Sequence, residues 1–506
     1  MKTGIITAIK LQWRQSIPHF NRNSVQQIVM LCSRNAGSIR FHKYVIRCLG
    51  VFAASCFGPV QAQLNTDNAY ALPLGEVLAD VGKKYGVMIK YTDSMVANKT
   101  VNYARWRYRN DVEATLDNVL KPLDLKVKKE KDKVYKLSSY EYYRWPVEEG
   151  WAELDRIASQ YNNLNEWEVR KHLLKPCLME ALRLDKLPLA PNTKPVITTK
   201  RKYNGYTVEN IAIEILPGLY INGSLYKPAK YKGKIPVVLN PDGHWEKHRY
   251  RSDCQYRCAA IAKMGAMAFS YDLFAWGESL LQFKLEDHRR SLAMTIQVLG
   301  SIRILDYLLA QRDADTNRVA IVGGSGGGTH AMLMTAIENR IKLSVPALSV
   351  SSYFYGGCPC ESGMPIHDCG NRTDNVELAA MAAPRPQLVI SDGGDWTDKM
   401  PQHDLIYLQK MYGYYNKPNN VENVHLPMEQ HDFGINKRIA VYQFIAKHFN
   451  INLKAIQDQQ GNIDESGITI EKEEMMYVFG DKGEKLPAHA IHGFEQLEKV
   501  FPKSKN

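Results

Sequence analysis

The sequence predicts an α/β fold: an open, mainly parallel sheet with helices on both faces, preceded by a small α+β domain of βαββαβ order. Three observations carry that expectation. Strand-length apolar runs near Ile235, Val319, Pro386 and Val424 each end in a polar turn, the pattern of buried strands feeding crossover segments. The second of them, Val319-Ala-Ile-Val-Gly-Gly-Ser-Gly-Gly-Gly-Thr-His330, passes straight from strand to helix around one serine. Residues 63–138, further upstream, repeat a short helix-then-strand unit.

In chain order, residues 1–62 read as a signal-peptide region. Arg34, Arg40, Lys43 and Arg47 precede the apolar run Cys48-Leu-Gly-Val-Phe-Ala-Ala-Ser-Cys-Phe-Gly58, and Val60-Gln-Ala62 offers a small-residue cleavage site before Gln63. The run is too short to span a bilayer comfortably. Export to the periplasm, cell surface or medium is therefore expected, without a membrane span. Met30 is an alternative start. Cys56 is an alternative lipid-attachment site, although Ala53 stands where a leucine is expected.

In residues 63–138, Leu74, Val77, Leu78, Val81 and Tyr85 mark one amphipathic helix, and Val112, Leu116, Val119, Leu120 and Leu123 a second. Short strands follow each, at Val87-Met-Ile-Lys-Tyr91 and Leu125-Lys-Val-Lys128. Headed by Ala71-Leu-Pro-Leu-Gly-Glu-Val-Leu78, this pattern resembles the short N-terminal domain of secretins and TonB-dependent transporters, which implies a protein partner rather than chemistry. Residues 139–200 read as a helical connector whose aromatics (Tyr140, Tyr142, Tyr143, Trp145, Trp151, Trp167) serve packing. Residues 201–506 hold the main sheet. It opens on a hairpin, 207–216 with 219–226, whose alternation predicts a half-buried edge, and residues 475–479 with a last helix near 490–501 close it.

The chemistry centres on Ser325. Gly323 and Gly327 complete a G-x-S-x-G nucleophile elbow, in which a tight strand-to-helix turn lifts the serine hydroxyl above the sheet edge. The same turn aims the backbone N–H of Gly326 and the helix N-terminus at any negative charge formed there. The Lys-Ser/Thr of a phosphate-binding P-loop is missing. Serine alone is a poor nucleophile, so an acid and then a histidine should follow at strand ends. Asp395 is the expected acid, with Asp392 as the rival in the same loop and Glu361 as a further alternative. His431, just before Asp-Phe-Gly, is the expected base. A second oxyanion donor is expected from the turn Pro241-Asp-Gly-His-Trp245, through the backbone amide of His244 or Trp245.

Ser325, Asp395 and His431 with Pro241-Asp-Gly-His244 resemble secreted carbohydrate esterases of the α/β-hydrolase superfamily. Tyr271-Asp-Leu-Phe-Ala-Trp-Gly-Glu-Ser279, Gly356-Gly-Cys-Pro-Cys-Glu361, Asn375-Val-Glu-Leu-Ala-Ala380 and Ala383-Pro-Arg-Pro386 add narrower likenesses, so the resemblance covers roughly residues 200 to 450. One departure is Asp242, where a His-Gly-type loop is usual. The resemblance implies a serine carboxylic-ester hydrolase working through an acyl-enzyme on plant cell-wall polysaccharide, with no cofactor and no catalytic metal. Likeness to gut-bacterial esterases that carry a small βαββαβ domain favours a pectin methylesterase. A polysaccharide O-acetyl esterase of the acetyl xylan type is the alternative. From another class, a non-catalytic glycan-binding or sensing protein is opposed by the intact Ser, acid and His. A lipase is disfavoured by the lack of a long apolar lid segment.

A uronate ester asks for a nearby cation, and Arg249, Arg251, His288, Arg289, Arg290 and Arg372 lie in loops that could supply it. Net charge is +12, but the first 62 residues hold eight Lys or Arg and no acid, and residues 63–138 carry a further excess of four. The remainder is neutral, which argues against nucleic acid. Six cysteines follow residue 62 (Cys177, Cys254, Cys258, Cys358, Cys360 and Cys369), and in an oxidising compartment they permit disulfides of unspecified pairing. Cys254 and Cys258 are one helical turn apart, poor disulfide geometry. Cys358, Cys360, His367 and Cys369 have zinc-ligand spacing, but disulfides or buried thiols are preferred.

Overall fold

The computed structural model describes residues 70–362 and 364–501. The signal-peptide region, with Met30, Cys56 and the cleavage site, lies outside them. The chain divides into two compact units, one ending at Tyr140 and the other beginning at Glu141.

The first unit is built from β1 (Leu72–Pro73), β2 (Met88–Lys90), β3 (Thr100–Val101), β4 (Leu125–Lys131) and β5 (Val134–Ser139), with helices Leu74–Tyr85 and Val112–Leu120. Leaving short turns aside, its order is βαββαβ with β5 added at the end. β5 lies between β2 and β4, while β1 pairs with β3. The first helix buries Leu74, Val77, Leu78 and Val81, and Gly86 ends it in the left-handed conformation at φ 64°. Asp111 caps the second by accepting the Ala114 N–H at 2.8 Å.

The second unit is a ten-stranded mixed sheet. Its strands are β6 (Val196–Ile197), β7 (Arg201–Tyr203), β8 (Tyr206–Leu216), β9 (Leu219–Pro228), β10 (Ile235–Pro241), β11 (Met267–Tyr271), β12 (Ala314–Gly324), β13 (Leu343–Ala347), β14 (Gln387–Asp392) and β15 (Val421–Leu426). They run in the order β15-β14-β13-β12-β10-β11-β9-β8-β6, with β7 also on β8. β10 to β15 are parallel, and the other strands add an antiparallel edge beyond β11. Alternate residues of one strand therefore serve different cores. Val319 and Ile321 join the layer of helices Ala293–Leu309 and Gly326–Ile337, whereas Ala320 and Val322 face helices Ser252–Met264 and Ile435–Phe449.

One expectation fails here. The β8–β9 hairpin is almost wholly buried rather than half-exposed. Its outer residues Ala212 and Tyr220 pack under Val478, Phe479 and Ala490, so the closing segment supplies the second face. The last helix runs Phe494–Val500. A disulfide joins Cys177, on helix Leu164–Ala181, to Cys369. Cys254 and Cys258 share helix Ser252–Met264 as free buried thiols. Among the described residues, no helix is long and apolar enough to cross a membrane.

Candidate active site

Ser325, Asp395, His431 and His244 sit beyond the carboxyl ends of parallel strands, where crossover loops converge. Ser325 directly follows β12 and precedes helix Gly326–Ile337, with φ 54° and ψ −124°. A non-glycine residue held there is strained, and the turn leaves no alternative. A Cβ on Gly323 would lie 2.1 Å from the Gly327 carbonyl oxygen, and one on Gly327 would lie 2.4 Å from that of Pro241. Strand and helix thus meet at van der Waals limits, and Ser325 is the side chain that projects from the crossing.

His431, beyond β15, brings Nε2 to 2.9 Å from Ser325 Oγ. Its Nδ1 lies 2.6 Å from Asp395 Oδ2. The other oxygen of Asp395 accepts the Thr397 backbone N–H and hydroxyl, each at 2.6 Å, which fixes the carboxylate plane. A carboxylate on Nδ1 keeps the Nε2 lone pair toward the serine, the tautomer a general base needs.

The rival acids stand elsewhere. Asp392, the last residue of β14, pairs with buried Lys437 Nζ at 3.0 Å, and burial followed by the charge of Asp395 raises its carboxyl pKa. Glu361 lies 3.3 Å from His244 Nδ1. Trp245 donates its indole N–H to the His431 carbonyl at 3.2 Å, while the Trp396 ring stands 4.6 Å from the imidazole. Phe354 stacks on Trp396 at 4.0 Å, extending an aromatic wall.

The loop after β10 comes up against the elbow. A Cβ on Gly326 would lie 2.5 Å from His244 Cε1, and one on Gly243 would lie 2.6 Å from the Gly324 carbonyl oxygen. Gly326 and His244 therefore flank the same space above Ser325. Asp242 is buried and ion-paired with Arg251 at 3.0 Å, so the departure from a His-Gly loop is filled by a structural ion pair.

The basic candidates separate by environment. Arg249 is fully buried and bonded to Asp272 and Glu278, Arg251 is held by Asp242 and Asp253, and His288 is buried. Arg290 lies over Phe494 and Arg372 over Trp145. Arg289 is exposed, and its charge acts on His244, His288 and Tyr143. The zinc-type set Cys358, Cys360, His367 and Cys369 is not assembled: Cys369 is bound to Cys177, and His367 hydrogen-bonds Ser362 and Asn375. Cys358 and Cys360, in bonding contact with each other, face His244 and His288 instead. The C-x-C spacing hinted at such a cluster; only the fold supplies the histidines.

The chain is similar to the solved structure of methylesterase BT1017, at 45% identity and a TM-score of 0.78, over 87% of this chain and 97% of that one. The chain belongs to the family of that methylesterase. It is an α/β-hydrolase carbohydrate esterase, a carboxylic ester hydrolase. More remote is a glucuronoyl esterase from Solibacter usitatus, at 16% identity and a TM-score of 0.42, over 56% of this chain and 93% of that one. No family model matches the chain, and no curated protein does. In this esterase Trp245 and Trp396 stand beside the His431 imidazole and Trp276 beside the His244 ring, each half-buried.

Proposed function

We propose that this esterase is an exported pectin methylesterase, hydrolysing a uronate methyl ester to the free acid and methanol. The observation that carries the reading is the relay from Ser325 through His431 to Asp395, at 2.9 and 2.6 Å, in a chain 45% identical to a methylesterase. Ser325 Oγ attacks the ester carbonyl while His431 Nε2 takes its proton. The oxyanion is received by the backbone N–H of Gly326 and by that of His244 or Trp245. His431 then gives the proton to the departing methoxide, releasing methanol, and activates water to free the uronate from the serine. The three half-buried tryptophans offer flat apolar faces to sugar rings.

Two experiments test this. Methanol is expected from methylated pectin with wild type and not with Ser325→Ala; acetate released from acetylated xylan instead would move the protein to the O-acetyl esterases. A fluorophosphonate is expected to label wild type and not Ser325→Ala; no label on wild type, or equal label on both, would remove Ser325 as the nucleophile. Arg289 is the cation placed to meet a neighbouring free uronate carboxylate. Arg289→Ala is expected to raise KM for partly methylated pectin by roughly 10–100-fold, the worth of a charged hydrogen bond of about 1.5–3 kcal/mol. Turnover of a small neutral methyl ester should be unaffected. Equal losses on both substrates would remove Arg289 from recognition.

A further inference from the structure

Beside the elbow, four side chains from three loops converge. His244 follows β10, His288 lies in the turn Leu285–Arg289 beyond β11, and Cys358 and Cys360 lie in the loop after β13. Their ligand atoms all fall within 4.8 Å of one another. Cys360 Sγ is 3.0 Å from Nε2 of both histidines, and Cys358 Sγ is 3.5 Å from that of His244 and 3.6 Å from that of His288. The two Nε2 atoms are 2.7 Å apart.

The outer hydrogen bonds decide what those nitrogens present. His288 Nδ1 lies 2.5 Å from the Phe274 carbonyl oxygen, which can only accept, so this nitrogen donates. His244 Nδ1 faces the Glu361 carboxylate at 3.3 Å, and that carboxylate is held in turn by the Gly357 N–H at 2.9 Å. With both Nδ1 atoms donating, both Nε2 atoms turn lone pairs toward each other and toward the two sulfurs. A proton shared between the nitrogens would answer only half of this arrangement. A cation answers all of it.

We propose that His244 Nε2, His288 Nε2, Cys358 Sγ and Cys360 Sγ bind one zinc ion. Two neutral imidazoles with two thiolates are the donors of a closed tetrahedral zinc site, and zinc bonds of about 2.0 and 2.3 Å put neighbouring ligand atoms roughly 3.3–3.8 Å apart. Carboxylate and carbonyl partners on the far ring nitrogens are the outer-shell support that zinc histidines require. Cys358 and Cys360 are in bonding contact in the structure, so a dithiol or phosphine reductant first gives that pair two electrons and two protons to make two thiols. These then lose both protons as the sulfurs ligate the metal, and zinc binding itself transfers no electron. All four positions are taken by protein, so the ion holds three loops together rather than activating water. Its place suggests what it positions: the His244 ring it grips is the one packed against Gly326. That consequence rests on the reading of His244 as part of the oxyanion loop; the ion site itself does not.

The test uses the full chain expressed with zinc and purified under a mild phosphine reductant without chelator. Elemental analysis is expected to find one zinc per chain in wild type and in Ser325→Ala alike, and no stoichiometric zinc in the Cys358→Ser/Cys360→Ser double variant. Cobalt(II) added to metal-free chain should give a thiolate-to-metal charge-transfer band in wild type that the double variant lacks. Should the double variant fail to fold, Glu361→Gln keeps all four ligands and is expected to weaken zinc binding about 10–100-fold. Wild type without stoichiometric zinc and without the cobalt band overturns the proposal, as does recovery of a Cys358–Cys360 disulfide from protein prepared with zinc and reductant. Zinc retained in full by the double variant overturns it too. Because Ser325→Ala holds zinc yet turns over nothing, loss of the ion and failure of the esterase reading are separately visible.

Discussion

Alanine at Ser325 or His431 is expected to lower kcat for methyl ester hydrolysis by about 10⁵–10⁶, and Asp395→Asn by about 10⁴. The reason lies in the relay: Nε2 at 2.9 Å from the serine is useful only while Asp395 holds the opposite nitrogen at 2.6 Å. The three act as a unit, so Ser325→Ala combined with His431→Ala should be no worse than either alone. The rival carboxylate gives the contrast. Asp392 is bound to Lys437, so Asp392→Asn should lower stability more than turnover. Methanol release measured across the five variants distinguishes these outcomes. Full activity of His431→Ala would sink the assignment.

The second large effect concerns stability. Arg249 is fully buried; its guanidinium lies 3.1 Å from Asp272 and 3.5 Å from Glu278, and donates to Ser224 Oγ at 2.7 Å and the Met476 carbonyl at 2.9 Å. Arg249→Met removes the only positive charge in direct contact with those two carboxylates among the described ion pairs. The expected loss is about 3–5 kcal/mol, from charges left buried and unpaired. It should also acquire a pH dependence. Burial, which Arg249 opposes, already pushes the Asp272 carboxyl up to about 7. Without the arginine the folded carboxyl holds its proton to still higher pH, while the unfolded one has released it. Stability then falls as pH rises, so the deficit should be larger at roughly pH 8 than at roughly pH 6. Thermal melts of both proteins across that range measure it, and an unchanged melting temperature would refute the argument.

Much of this candidate site is legible in the sequence because the parts proposed for it obey local rules. Glycines at 323 and 327 are demanded by a turn in which a Cβ has nowhere to go, and the acid and histidine fall at the ends of successive apolar runs. The choice between Asp395 and Asp392 is not local. They stand three positions apart, one ending β14 and the other in the turn after it, and only the placement of Lys437 and His431 divides their partners. The buried β8–β9 edge escapes reading for a related reason: its cover comes from residues more than 250 positions later. The histidine–cysteine cluster is less legible still. His288, a candidate cation in the sequence, is a buried imidazole, and its nearness to Cys360 arises from separate crossovers.

The closing segment also bears on where the catalytic body ends. Every strand of the sheet is complete by Leu426 and the last crossover helix by Phe449. Yet the Met476 carbonyl meets Arg249, and the N–H groups of Val478 and Phe479 each donate to Glu278 at 2.7 Å. Gln282, in turn, donates to the carbonyls of Gly218 and Ile491. A fragment trimmed at the last helix would keep the relay's three side chains and all ten strands while stripping the lid from a buried charge network. The smallest autonomous version of this enzyme is therefore set by electrostatic closure, and counting strands would draw its boundary too early.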